Sequence, residues 1–334
     1  MLMSIMEKGT DIAKAAEILR NGGLVAFPTE TVYGLGANGL DPLAVARIYE
    51  VKQRPSFDPL ILHIGKPEDM TGLFRNPDDP LILALSGAFW PGPLTIVAEK
   101  QAVVPGIVTS GMSTVAVRMP QNELAIELIR TAGIPVAAPS ANLFGKLSPT
   151  MPQHVQKQLK GVDYLLDGGK TSIGVESTIV SVSGNRITLL RPGAITPEQL
   201  QEAVPGAIIT PFRAPETEDS GLAAPGLMKS HYSPEKPLYI FSKLPRQIKP
   251  GSGVIFFTDP GDAKLLAEET IVLSSSGNLL EAAANLFTAL HDMENNPFVQ
   301  RIFIEQIEER GIGVAIMDRM RKAAYRHSTG QQAD

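Results

Sequence analysis

Gly23-Leu24-Val25-Ala26-Phe27-Pro28-Thr29-Glu30-Thr31-Val32-Tyr33-Gly34-Leu35-Gly36 is the stretch around which the chain is organised. Leu24 to Phe27 is a short apolar run bounded by Gly22-Gly23 and Pro28, the pattern of a buried strand. Pro28 has no N–H to give to a ladder, so the strand stops there. The residues after Pro28 read as neither strand nor helix. Hydroxyls, a carboxylate, a phenol and two glycines crowd together, so backbone and polar side chains can both face a ligand. Leu43 to Val51 then predicts a helix, with Lys52 and Arg54 at its end. Two cations one residue apart beside such a loop suit a phosphate-binding corner. The same residues suit a strand end, a turn and solvated surface cations equally well, and local sequence leaves both readings open.

The bulk properties narrow the class. A length of 334 residues predicts two domains. With 43% hydrophobic and 19% charged residues, the chain can bury a sizeable core and is not disordered. No apolar run reaches the roughly 18 residues of a membrane span. Met1 to Met6 lacks the cationic and long apolar segments of a signal peptide. The absence of cysteine excludes disulfides, thiolate metal sites and a cysteine nucleophile, and points to the cytoplasm. A net charge of −5 argues against a protein that grips nucleic acid by its phosphates, so any RNA partner needs a local patch or a second protein.

Taken in order, Thr10 or Asp11 caps a first helix stopped by Asn21-Gly22-Gly23, and Asp41-Pro42 starts the second. Strands are predicted at 60–64, 94–98, 114–118, 134–138, 164–167, 177–182 and 187–190. Helices are predicted at 80–89, at 122–131 and from the capping box Thr196-Pro197-Glu198-Gln199. The alternation lacks strict βαβ regularity, so the expectation is an α/β domain with a twisted mixed open sheet. From Pro211 to Pro237, prolines, glycines and an acidic cluster erase all periodicity, as in an interdomain linker. Leu227-Met228-Lys229-Ser230-His231-Tyr232 is too apolar and aromatic for a plain spacer. Beyond it, strand-like 238–241, 254–258, 271–273 and 302–305 alternate with helix-like 263–268, 279–295 and 312–324. This predicts a smaller Rossmann-like α/β domain at the C-terminal end. Gly311-Ile312-Gly313 lacks the third glycine of a dinucleotide fingerprint and runs into a basic helix, so it is not read as a cofactor site.

Several chemistries are set aside. The five histidines are scattered with no metal-ligand spacing, so no protein-held metal is expected. No nucleophile elbow or phosphate-binding P-loop is present, and Gly168-Gly169 reads as a tight turn. There remains a set of polar residues at strand ends: Thr31, Tyr33, Lys52, Arg54, His63, Arg118, Ser140, Asn142, Ser177 and Arg191. Arg118 and Arg191 each close an apolar strand, and a buried guanidinium is costly without an anion. Together, four cations and several hydroxyls suggest a cavity for an anionic ligand such as a nucleotide.

These segments resemble the YrdC-like family. Lys52-Gln53-Arg54 and Ser140-Ala141-Asn142 match its K-x-R and S-x-N pairs. Pro28 to Leu35, Trp90-Pro91-Gly92-Pro93-Leu94-Thr95, Gly174 to Ile179 and Leu190 to Gly193 match as well, and Gly313 to Ala324 resembles the end of the long, two-domain form. The resemblance covers nearly the whole chain. It implies a threonylcarbamoyl-AMP synthase that converts L-threonine, bicarbonate and ATP, with Mg²⁺ accompanying the nucleotide, to threonylcarbamoyladenylate and pyrophosphate. Downstream transferase proteins would pass the threonylcarbamoyl group to the adenosine beside a tRNA anticodon, with at most weak tRNA contact by this chain and none with a membrane.

Carried over by residue, the resemblance gives Thr31, His63, Arg118, Ala138 and Ser177 to threonine. It gives Arg54, Asp58, Thr114, Ser140, Asn142, Ser148, Arg191 and Tyr232 to ATP. Lys52 and Arg54 would be the catalytic cations, with Lys52 and Asn142 facing the phosphates. An acid at position 58 departs from the Asn or His common in the family, and repels phosphate unless Mg²⁺ intervenes. The domains expected are 1–212 catalytic, 213–236 a linker closing as a lid, and 237–334 the small C-terminal domain. Two rivals remain distinguishable: an RNA-binding module without turnover, and a carbamoyl-adenylate enzyme of the hydrogenase-maturation kind, whose zinc modules need the cysteines this chain lacks.

Overall fold

The computed structural model describes residues 6–212, 225, 228, 231–244, 248–261 and 267–328. β1 (Glu7–Gly9) leads into α1 (Ile12–Arg20), whose cap Asp11 accepts from the Lys14 N–H at 3.0 Å. β2 (Val25–Phe27) is wholly buried, as its apolar run requires. β3 (Gly34–Asn38) comes next, then α2 (Pro42–Lys52), capped by Asp41 with proline at its first turn. β4 (Ile61–His63), a short 3₁₀ turn (Pro67–Gly72), α3 (Pro80–Phe89), β5 (Leu94–Glu99) and β6 (Thr114–Arg118) continue the chain. Then come α4 (Glu123–Ala132), β7 (Val136–Ala137), α5 (Pro152–Gln158), β8 (Tyr164–Leu166), β9 (Thr178–Ser183), β10 (Arg186–Arg191), α6 (Pro197–Ala203) and β11 (Ile208–Thr210).

These eleven strands form one open mixed sheet in the order β1-β8-β2-β3-β7-β4-β6-β5-β9-β10-β11. The pairing mixes parallel and antiparallel neighbours, so short loops and crossovers both occur. Four elements differ from the sequence expectation. Gly34 to Asn38, read as loop, is a strand between β2 and β7. Its glycines carry no β-propensity, yet Gly36 is needed there: an added Cβ would lie 2.8 Å from both Phe27 and Val136. The short elements α5, β1 and β11 have too little periodicity to predict.

The second sheet is built from β12 (Leu238–Phe241), β13 (Ser252–Phe256), β14 (Glu269–Val272) and β15 (Arg301–Glu305), all parallel in the order β12-β15-β13-β14. With α7 (Leu279–Asn295) and α8 (Gly313–Ser328) it is the Rossmann-like unit expected. The helix predicted over 263–268 falls mostly outside the described residues. The expected linker, 213–236, is described at Pro225, Met228 and residues 231–236.

The two sheets share a packed boundary. Leu147 and Val175 from the first half sit in the second core with Tyr232, Leu286, Phe287 and Met320. Gly174 (φ +78°) lets the chain press against α7; an added Cβ would meet the Ala283 carbonyl oxygen at 2.4 Å. The rings of His154 and His291 stack across the boundary, 3.8 Å apart. No helix of the described residues is long and apolar enough to cross a membrane.

Candidate active site

Arg118, Ser177 and Arg191 end or precede strands at the same end of the β6-β5-β9-β10 segment. His63, closing β4, sits beside Arg118 in register. A cleft with about 560 Å³ of atom-free space, part of it open to solvent, lies against them. Of the sequence-predicted residues, Thr31, Arg54, His63, Arg118, Ala138, Ser140, Ser177, Arg191 and Tyr232 line it. Pro225 and His231 complete the wall on the side of the linker segment.

Each arginine is held in place. Arg118 Nη1 donates to Thr31 Oγ1 at 3.0 Å, Nε to the Gly92 carbonyl at 3.3 Å, and Nη2 lies 2.7 Å from Glu30 Oε1. Arg54 pairs with Asp58 at 2.9 Å and donates to the Asp58 and Pro59 carbonyls. Arg191 donates through Nε and Nη2 to the carbonyl and hydroxyl of Ser177, both at 3.0 Å, and through Nη1 to the Pro225 carbonyl. Two of the three guanidiniums therefore have carboxylate partners, while Arg191 has neutral oxygens. That gives the cleft cations set by their neighbours before any ligand arrives.

Five predicted residues stand elsewhere. Lys52 is 1% exposed and its Nζ donates to the carbonyls of Ser140 and Asn142, so it clamps the S-x-N loop and does not face the cleft. Burial, then Arg54, pulls its pKa well below the usual lysine range. Gln53, left-handed at φ 52°, ends α2 and separates the Lys52 clamp from Arg54 on the cleft wall. Asn142 turns its amide to the carbonyls of Leu143 and Lys146. Asp58 lies behind Arg54, fully buried, and burial raises its pKa against the pull of Arg54. Ser148 donates its hydroxyl to Glu176. Thr114 lines a separate small recess with Pro59, Leu60 and Met112.

His63 is buried, and burial followed by Arg118 lowers its pKa to about 3. It is a neutral imidazole at ordinary pH, suited to hydrogen bonding and not to carrying charge. Its Nδ1 has no hydrogen-bond partner among the described residues. Tyr33 stands outside the cleft and donates its hydroxyl to the Gly169 carbonyl. Gly168-Gly169 follows β8 as irregular chain, Gly169 having φ +72° and donating its N–H to Asp167 Oδ1 at 3.0 Å.

Two acids were missed in the sequence. Glu30 and Glu176 are 4% and 6% exposed, and both stand inside segments that carry the family resemblance. The signal was the need of a buried guanidinium for an anion; the chain itself provides one for Arg118 and one for Arg319 of α8. Gly193 is also required here, since an added Cβ would meet the Thr178 nitrogen at 2.2 Å and push Ser177 out of line.

Known proteins share this architecture. Residues 17–193 match the family model described as telomere recombination (Sua5_yciO_yrdC), and residues 195–325 match threonylcarbamoyl-AMP synthase, C-terminal domain. The chain is 41% identical over 326 residues to the threonylcarbamoyl-AMP synthase of Pyrococcus abyssi, covering 93% of each chain. It is 42% identical over 335 residues to that of Bacillus subtilis, covering 94% of this chain and 92% of the relative. The crystal structure of P. abyssi Sua5 complexed with L-threonine superposes with a TM-score of 0.85 at 38% identity, covering 96% of this chain and 98% of the other. Both family models, the sheet and the near-complete coverage agree: the chain belongs to the Sua5 family of threonylcarbamoyl-AMP synthases, in its long two-domain form.

Proposed function

We propose that this chain is a threonylcarbamoyl-AMP synthase, making L-threonylcarbamoyladenylate and pyrophosphate from L-threonine, bicarbonate and ATP. The observation that carries the reading is the convergence of Arg54, Arg118 and Arg191 with the hydroxyls of Thr31, Ser140 and Ser177 on one cleft. Both reactants are anions, and such a wall offsets their repulsion while aligning them.

Threonine occupies the Arg118 side. Its carboxylate meets the guanidinium that Thr31, Gly92 and Glu30 orient, and neutral His63 and Ser177 fix its remaining groups. ATP, entering with Mg²⁺ as part of the substrate, occupies the side of Arg54, Ser140, Arg191 and Tyr232. The threonine nitrogen bonds to the carbon of bicarbonate with loss of water, giving a carbamate. A carbamate oxygen then bonds to the α-phosphorus as the bond to the β-phosphate bridging oxygen breaks, and pyrophosphate leaves with that electron pair. No covalent nucleophile of the protein is required. Arg54 and Arg191 act by stabilising charge, and Lys52 acts by holding the Ser140 to Asn142 loop. His231 and Tyr232 close one side of the cleft and support a lid role for 213–236, keeping water from the mixed anhydride. The product then goes to transferase proteins that modify tRNA.

The test is pyrophosphate release from ATP. The expected result is dependence on both threonine and bicarbonate, with the adenylate seen by mass spectrometry. RNA retention without turnover, or turnover with carbamoyl phosphate in place of threonine, would sink the reading. Proteolysis between 213 and 231 should slow when ATP and threonine are added together.

A further inference from the structure

α8 brings one guanidinium from the half of the chain built on the four-stranded sheet to the back of the cleft. Arg319 is 1% exposed. Its Nε donates to Glu176 Oε2 at 2.7 Å, Nη2 reaches the Glu176 carbonyl at 3.5 Å, and Nη1 donates to Asp318 at 2.6 Å. The guanidinium carbon lies 5.4 Å from the centre of the Tyr232 ring. Glu176 and Tyr232 both line the cleft; Arg319 stands behind them. The other oxygen of Glu176 accepts the Ser148 hydroxyl. The next residue, Ser177, accepts two hydrogen bonds from Arg191. From α7, the His291 ring contacts the Ser148 carbonyl through Nε2 at 3.1 Å.

This arrangement has two physical effects. A free carboxylate on the wall of a triphosphate site would repel the ligand, and at low dielectric that repulsion is large. Arg319 neutralises Glu176 at contact distance; burial alone would push that acid up, but Arg319 and Arg191 outweigh it and hold it below the usual range. The same pair also holds the Ser148 hydroxyl and the Tyr232 ring, the ring forming part of the nucleotide side of the cleft. Tyr232 sits at φ +60°, a conformation an aromatic residue keeps only when its surroundings hold it.

Resting on the function proposed above, we propose that Arg319 is a positioning residue for the nucleotide half of the site. The C-terminal half would then be a structural part of the ATP site, acting through Glu176 and Tyr232, and not an appended module.

The experiment uses the full chain with Arg319→Met, Arg319→Lys and the double variant Arg319→Met/Glu176→Gln. The double variant removes both charges together, leaving neither Arg319 nor Glu176 as an unpaired buried ion, so it keeps the fold testable. Thermal melting, calorimetric titration with a non-hydrolysable ATP analogue, separate titration with threonine, and pyrophosphate release are read on each. The expected result is that folded variants bind the analogue at least tenfold more weakly and show a KM for ATP raised at least tenfold. Threonine affinity should stay within about threefold, and Arg319→Lys should recover only part of the loss. Folded variants that bind the analogue like the natural chain, or that lose threonine and nucleotide equally, overturn the proposal. So does unfolding of all three, which would leave Arg319 a purely structural residue. If the natural chain itself releases no pyrophosphate with threonine and bicarbonate, the functional reading fails instead, whereas the analogue titration still reports on Arg319.

Discussion

Arg118 Nη2 lies 2.7 Å from Glu30 Oε1, with both side chains 4% exposed. The cation proposed to receive the threonine carboxylate is thus already partnered by an acid of the loop after β2. Such an arrangement fixes the guanidinium and leaves its remaining N–H groups for a ligand. Removing one partner strands the other. Arg118→Met should lose about 3–5 kcal/mol of stability in denaturant melts and abolish threonine binding. Adding Glu30→Gln should return most of the stability and none of the binding. Recovery of threonine binding in the double variant would show that Arg118 is not its receptor.

Lys52 gives a different outcome from a phosphate-facing lysine. Because its Nζ holds the Ser140 and Asn142 carbonyls, Lys52→Ala should lower the melting temperature as well as pyrophosphate release. The buried Asn142 carbonyl loses the Lys52 donor, at about 1–3 kcal/mol, while the Ser140 carbonyl keeps the Asn142 N–H. An unchanged melting temperature with lost activity would return Lys52 to the phosphates.

Gly174 tests the boundary between the sheets. Its positive φ alone costs an L-residue about 1–3 kcal/mol, and the 2.4 Å approach to the Ala283 carbonyl adds a clash with backbone. Gly174→Ala should therefore destabilise the chain by at least that amount in thermal melts and weaken catalysis through the misplaced Glu176-Ser177 segment. A melting curve like that of the natural chain would contradict the close contact.

Acid should unfold this protein through its histidines. Burial holds His63 and His154 at about 3 and His291 at about 4. The unfolded chain takes up protons near the usual 6.5, and the folded chain does not. Each buried neutral imidazole thus contributes stability that is intact above 6.5 and is lost as pH falls towards its folded value. The expected loss is roughly 1 kcal/mol per pH unit for each histidine in that window. His154 and His291 stack, with Lys157 and Lys170 adding repulsion at His154, so charging either ring separates the sheets. Melting followed from pH 7 to pH 4 should show the decline, and His154→Gln should make it shallower. A melting temperature flat across that range would refute the assignment.

Local signals carried much of the fold. Apolar runs and caps predicted β2, α2, α3, α7 and the parallel second sheet, because those elements satisfy their hydrogen bonds and bury their faces in ways set by nearby residues. β3 was hidden because its glycines resemble a loop; only the approach of Phe27 and Val136 makes glycine necessary at position 36 of that strand. In the site, the cations were legible as residue types at strand ends. Their partners were not, since Glu30 meets Arg118 and Glu176 meets Arg319 only after distant segments pack.

The sequence by itself determined which chemistry the chain carries: arginines, hydroxyls and a histidine at strand ends, no cysteine, and two α/β units. The tertiary structure alone decided how each charge is used. It turned Lys52 inward as a clamp, gave Glu30 to Arg118, and brought Arg319 of α8 behind Glu176 and Tyr232. The reason is that strand and helix signals act over a few residues, whereas a buried ion pair is fixed by where the whole sheet places its two ends.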